Sequence, residues 1–281
     1  MSEILVTGAT GNVGREVVGQ LLTTGTAVRA LARDPETAGL PKRVKVVRGD
    51  LSESDTLEAA LAGSDTVFLI WPFLTTKDAP AALEAIARHA RRVVYLSSSG
   101  VNEDAEPQTD PINQLHADME RLIEKSGLEW TILRANTIAS NARGWAEQIR
   151  TTHVVRGPDI AATAVIHEGD IAAVAVRALI DDGHAGVKHV LTGPQVLSRA
   201  EQVQVIGEGI GRPARFERVP VQVARQQMLA DGRPLALVEA LLASAETRGE
   251  SDLITCTVEE ITGAPARTFR SWVEEHADEF R

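Results

Sequence analysis

The chain has 281 residues, 43% of them hydrophobic, a formal net charge of −10 and one cysteine, Cys256. That length and composition support a sizeable core, and the acidic balance argues against nucleic acid or an anionic membrane as a partner. A lone cysteine excludes an internal disulfide framework and fits a reducing compartment. No apolar run approaches a membrane span, and the start carries no basic, apolar or cleavable leader pattern, so a cytoplasmic protein is expected.

The chain opens on Ile4 to Thr7, an apolar strand, followed by glycines at 8, 11 and 14. Val13, Val17, Val18, Leu21 and Leu22 then recur at helical spacing until Thr24 and Gly25 end the pattern. Strand, glycine turn and helix form a dinucleotide-binding signature, with Thr10, Asn12 and Val13 inside the loop. A pyrophosphate must approach the unpaired N–H groups at a helix N-terminus, and side chains there would block it. Gly8 is expected to permit the turn, Gly11 to admit the phosphates and Gly14 to let the helix pack against the strand.

Further strands are expected at Ala27 to Ala32, Val44 to Val47, Thr66 to Ile70, Arg92 to Ser97 and Trp130 to Arg134. Helices are expected at Glu53 to Ala62, Asp78 to Ala90 and Asn113 to Lys125. Apolar strands alternating with helices predict a doubly wound parallel α/β sheet of Rossmann type, with ligands at the strand C-termini. Each strand end therefore offers candidates. Ala32 stands where an acid would select NAD, and Arg33 follows it, which favours NADP; Arg29, in mid-strand, is the weaker helper. Asp50, with Leu51 beside it, either meets the adenine or caps the next helix. Trp71 either flanks the nicotinamide or packs in the core. Ser97, Ser98 and Ser99 either hold nicotinamide or substrate or make a turn. Asn136 and Thr137 are candidates for the carboxamide edge.

Beyond residue 140 the expected elements are helices at Asp170 to Ile180, Ser198 to Ile210, Gln222 to Leu229, Leu235 to Ala245 and Thr268 to Phe280. Short strands are expected at Lys188 to Leu191 and Phe216 to Val219. Residues 1–140 are read as the dinucleotide domain, and 141–281 as a segment that completes the sheet and forms a smaller substrate or partner lobe. Cys256 reads as a half-buried small residue, and the scattered histidines show no metal-ligand spacing.

TGATGNVG, ALARDP, RGDL, SSSG and SGLEWTILRAN together resemble the NmrA-like family of atypical short-chain dehydrogenase/reductases. The likeness is good over about the first 140 residues and looser after them. It implies an NAD(P)-binding Rossmann domain under a smaller C-terminal lobe; a monomer or homodimer is expected. The resemblance implies either a quinone, azo or phenylpropanoid reductase or a dinucleotide-binding regulator or redox sensor. The expectation here is NADPH-dependent reduction of a small apolar acceptor such as a quinone, carbonyl or imine, with a redox sensor acting on a protein partner as the alternative. Short-chain dehydrogenases use a tyrosine acid with a lysine four residues on. Here Ile112 and His116 occupy those positions, and the only tyrosine, Tyr95, sits in an apolar strand. His116 and Glu120, one turn apart, become either the catalytic candidates, with Glu120 holding up the histidine pKa, or a solvated helix pair.

Overall fold

The computed structural model describes residues 3–247, 249 and 251–281. Its centre is a seven-stranded, wholly parallel sheet. The strands are β1 (Glu3–Val6), β2 (Ala27–Ala32), β3 (Lys45–Arg48), β4 (Ser64–Leu69), β5 (Arg92–Ser98), β6 (Glu129–Ala135) and, after two strands outside it, β9 (Val187–Leu191). The order β3-β2-β1-β4-β5-β6-β9 reverses direction between β1 and β4, the switch point at which such sheets bind ligands.

Alternation along each strand divides the core in two. Ile4, Val6, Val94 and Leu133 face α1 (Asn12–Thr23) and α6 (Glu168–Ile180). Leu5, Val93, Tyr95 and Ile132 face α2 (Ser54–Leu61), α3 (Ala79–His89) and α4 (Pro111–Glu124). Each such side chain contributes about 1.5–3 kcal/mol on full burial, which is why both faces are covered. Helix α4 begins two residues earlier than its apolar periodicity suggests. Asp110 caps it, accepting from the N–H groups of Ile112 and Asn113 at 2.9 and 3.0 Å, and Pro111 supplies the first turn.

The second half of the chain enters the sheet and leaves it again. A 3-10 turn (Ala139–Trp145) leads to α5 (Ala146–Thr152), β7 (Val154–Gly157) and β8 (Thr163–Ala164); α6 and β9 then return to the sheet. After β10 (Val196–Leu197) come α7 (Arg199–Gly209) and β11 (Arg215–Arg218), which pairs with β7 in parallel. The lobe is completed by α8 (Val221–Ala230), α9 (Leu235–Thr247), α10 (Thr257–Thr262) and α11 (Phe269–His276), closed by a 3-10 turn (Ala277–Phe280). Its core is Trp272, stacked on Phe269 with centroids 5.5 Å apart. A separate small cluster joins α8 to α9, and α9 lies against α4. β7, β8, β10, α5 and α10 are not among the elements expected from the sequence. Cys256 is exposed at the N-cap of α10, not half-buried as expected.

Candidate active site

The loop after β1 is shaped by two glycines and left open at a third. Gly8 has φ +59°, and a Cβ on Gly14 would stand 2.1 Å from the Gly8 carbonyl oxygen, so the helix start lies directly on the turn. A Cβ on Gly11 would meet only that same oxygen, at 3.3 Å. Gly11 is also the N-cap of α1, with no side-chain cap and no acid in the first turn. The first amides of α1 therefore face an exposed loop of Thr10, Gly11 and Asn12, and among the described residues they have no internal acceptor and no acid in the first turn. Thr7 fixes the loop from below: its hydroxyl donates to the Ile70 carbonyl at 3.1 Å and accepts from the Ile70 N–H at 2.8 Å. Val13, at 5% exposure, packs into the core beneath.

At the next two strand ends, Arg33 is exposed and its charge acts on Asp50. Asp50 accepts from the Ser52 N–H at 2.9 Å and the Ser52 hydroxyl at 2.8 Å. The Ser52 backbone bond, with help from Arg33, holds its carboxyl below the usual range against a smaller opposing effect of burial. Asp50 thus closes a turn; the cap position of α2 belongs to Glu53. Arg29 is occupied internally: it pairs with Glu3 and donates to the Ala60 and Ala62 carbonyls at 2.7 and 2.6 Å, which removes it as a helper to Arg33. Leu51 is buried in the α2–α3 layer. Trp71 also packs there, its indole N–H donating to the Thr75 carbonyl at 2.9 Å and its ring set edge-on to Phe73.

The region under α4 corrects three expectations. Glu120 is 2% exposed, so the His116–Glu120 pair is not a solvated helix face. Its carboxylate takes a bidentate contact from Arg134, Nε to Oε1 at 3.0 Å and Nη2 to Oε2 at 2.6 Å, and accepts from the Ser97 hydroxyl at 2.6 Å. Ser97 is thereby buried against Glu120 and withdrawn from the nicotinamide role. Nor does Glu120 hold up the pKa of His116. The protein packs densely round that ring, and desolvation pulls its pKa down to about 4, outweighing the opposite pull of Glu120 and Asp110. Nδ1 of His116 lies 2.8 Å from the Tyr95 hydroxyl.

Around this pair, Ser98 donates to the Asn113 side-chain oxygen at 2.9 Å, and Asn113 donates back to Asp110 at 2.5 Å. Asn136 pairs through its N–H with the Leu191 carbonyl at 2.9 Å, while its Oδ1 accepts from the Thr137 N–H at 2.7 Å. Tyr95, expected from its apolar strand to pack in the core, joins this edge through its hydroxyl, and two residues with no assigned role in the sequence, Arg134 and Arg143, belong to it as well. Arg143 donates to the Asn12 side chain beside the glycine loop and is held by Glu279 from the closing turn, at 2.9 and 3.1 Å. For Arg134 a signal existed, since it shares a strand face with Ile132 and had to find an acid under α4.

The uncapped, glycine-lined start of α1 fits a dinucleotide pyrophosphate, and an exposed Arg33 after the acid-free Ala32 fits a ribose phosphate. A family model described as NAD(P)H-binding matches residues 8–182. The chain belongs to the NAD(P)H-binding family. Among curated proteins similar to it, the (4-alkanoyl-5-oxo-2,5-dihydrofuran-3-yl)methyl phosphate reductase of Streptomyces griseus is 41% identical over 283 residues, 99% of each chain. The NAD(P)H azoreductase of Xenophilus azovorans is 33% identical over 284 residues, again 99% of each. In fold, the NADP(H)-complexed triphenylmethane reductase of Citrobacter superposes with a TM-score of 0.81 over 98% of this chain and 99% of that one, at 19% identity. Both of these relatives, matched from end to end, are named reductases, in line with the expectation of an NAD(P)H-dependent reductase. Among the described residues no helix is long and apolar enough to cross a membrane, and no cluster of three metal-ligating side chains occurs.

Proposed function

We propose that the protein is an NADPH-dependent reductase of a small, conjugated, electron-poor acceptor, acting by direct hydride transfer without a tyrosine–lysine acid pair. The observation that carries this reading is the partner set of His116: the imidazole stands where the pattern expects lysine, is uncharged, and has Ile112 in place of the acid tyrosine. Gly8, Thr10, Gly11, Asn12 and Gly14 would hold the pyrophosphate, Arg33 the 2′-phosphate in preference to NAD, Asp50 the adenosine side and Asn136 the nicotinamide side. Bound NADPH supplies hydride; the chain supplies orientation and a hydrogen-bond donor.

An acceptor that is already electron-poor needs little acid assistance, which matches a site with no strong proton donor. The groups named in the two full-length relatives, an azo group and an alkanoyl-substituted oxo-dihydrofuran, are both of this kind. NADPH oxidation with a panel of quinones, azo compounds and acylated unsaturated lactones tests the reading. Turnover is expected, and His116→Ala is expected to lower kcat about tenfold to a hundredfold while leaving NADPH affinity within about twofold. A protein that binds NADPH but turns over none of these acceptors would instead fit a dinucleotide-dependent sensor with a protein partner.

A further inference from the structure

Tyr95 is the chain's single tyrosine, and its side chain is wholly buried in β5 beneath α4. Its hydroxyl and Nδ1 of His116 are 2.8 Å apart, with ring centroids separated by 6.0 Å. Two proton arrangements fit that distance. If Nδ1 carried the hydrogen, the phenol O–H would be a buried donor with no acceptor, because Tyr95 has no other polar partner among the described residues. If the phenol donates, both groups are satisfied and the ring hydrogen sits on Nε2. That nitrogen has no partner among the described residues either, and it points away from Tyr95 by the geometry of the ring. Desolvation keeps the phenol protonated, raising its pKa, and keeps the imidazole neutral.

We propose that Tyr95 is a positioning residue that locks His116 in its Nε2–H tautomer, so that His116 meets the acceptor as an uncharged hydrogen-bond donor. The proposal rests on the reductase reading above and narrows its substrate class. Bound NADPH would supply the hydride and be oxidised to NADP, while at the acceptor a C–H bond forms and the π pair moves to a conjugated oxygen. The Nε2–H group stabilises the resulting anion without giving up its proton, which water supplies after release. Such a donor serves acceptors whose reduced anion is delocalised, such as quinones and doubly activated alkenes. It serves simple ketones poorly, because their localised alkoxide requires protonation as it forms.

The test is nitrogen-15 NMR of the histidine rings at neutral pH, with the His116 signals assigned by their absence in His116→Asn. The wild-type protein is expected to show an unprotonated Nδ1 and a protonated Nε2 at His116; the reverse assignment overturns the proposal, whatever any variant does. In Tyr95→Phe the expected spectrum is a mixture of tautomers, with kcat lowered about tenfold and NADPH affinity unchanged. A mixed spectrum with unchanged kcat overturns the positioning role. So does turnover of simple ketones at the rate of quinones. A protein with the expected spectrum that reduces no acceptor at all points to failure of the reductase reading, so the two failures are told apart.

Discussion

The two ends of the binding edge are built on opposite plans. Over β1, β2 and β3 the groups facing outward are the backbone amides of the exposed Thr10, Gly11 and Asn12, with only the Asn12 side chain already engaged, by Arg143, and the exposed Arg33 beyond them. Over β5 and β6 the polar side chains have already consumed one another, with Ser97 and Arg134 on Glu120 and Tyr95 on His116. On the proposed function the first region gains its interactions when the dinucleotide's phosphates bind. The second is satisfied in advance, so that one neutral nitrogen is left over in a fixed orientation. Affinity and chemistry can therefore be perturbed separately.

The strongest way to break the second region is Glu120→Gln. It preserves shape but leaves the Arg134 guanidinium, 8% exposed, with only Glu103 at 3.0 Å and mostly in solvent. A loss of about 3–5 kcal/mol in unfolding free energy is expected in urea melts; a loss under 1 kcal/mol would mean that the buried pair is not structural. The next effect is pH-dependent. His116 titrates near pH 4 in the folded chain against an ordinary 6.5, so between those values the unfolded chain binds the extra proton. The stability associated with the neutral ring is complete above about pH 6.5 and is lost as pH falls toward 4, by up to about 3 kcal/mol. Subtracting the His116→Asn stability profile from wild type should isolate that slope, and parallel profiles would contradict it.

The contrast also explains what could be read from residues alone. The glycine loop was legible because its constraints are local: Gly8 needs a positive φ, Gly14 a close approach, and both lie within one strand–turn–helix unit. The helix expected from Ser198 is local in the same sense, and in the structure Ser198 and Glu201 form a capping box at the start of α7. The α4 layer depends on which face meets which. Glu120 is 14 positions from Arg134, and Tyr95 is 21 from His116, but nothing in spacing says that helix and strand present those faces to each other. Arg143 is harder still, since it reaches Asn12 across 131 positions from a 3-10 turn with no periodic signal. The four-residue strand β7 is too brief for alternation to be distinctive, whereas its partner β11 lies one residue before the strand expected at Phe216 to Val219.

The smallest effect belongs to the first region and sharpens cofactor choice. Arg33 is exposed, and a guanidinium in water contributes less to a phosphate contact than a buried one. Removing it deletes one charge-assisted contact, so Arg33→Ala should weaken NADPH by about tenfold in calorimetric Kd. NADH lacks the 2′-phosphate and should bind wild type and variant alike. Ala32 places no carboxylate opposite the ribose hydroxyls, so NADH has no compensating partner and is expected to bind wild type more weakly than NADPH. If NADPH and NADH bind wild type equally and Arg33→Ala changes neither, Arg33 is a solvated turn residue and the preference for NADP falls with it.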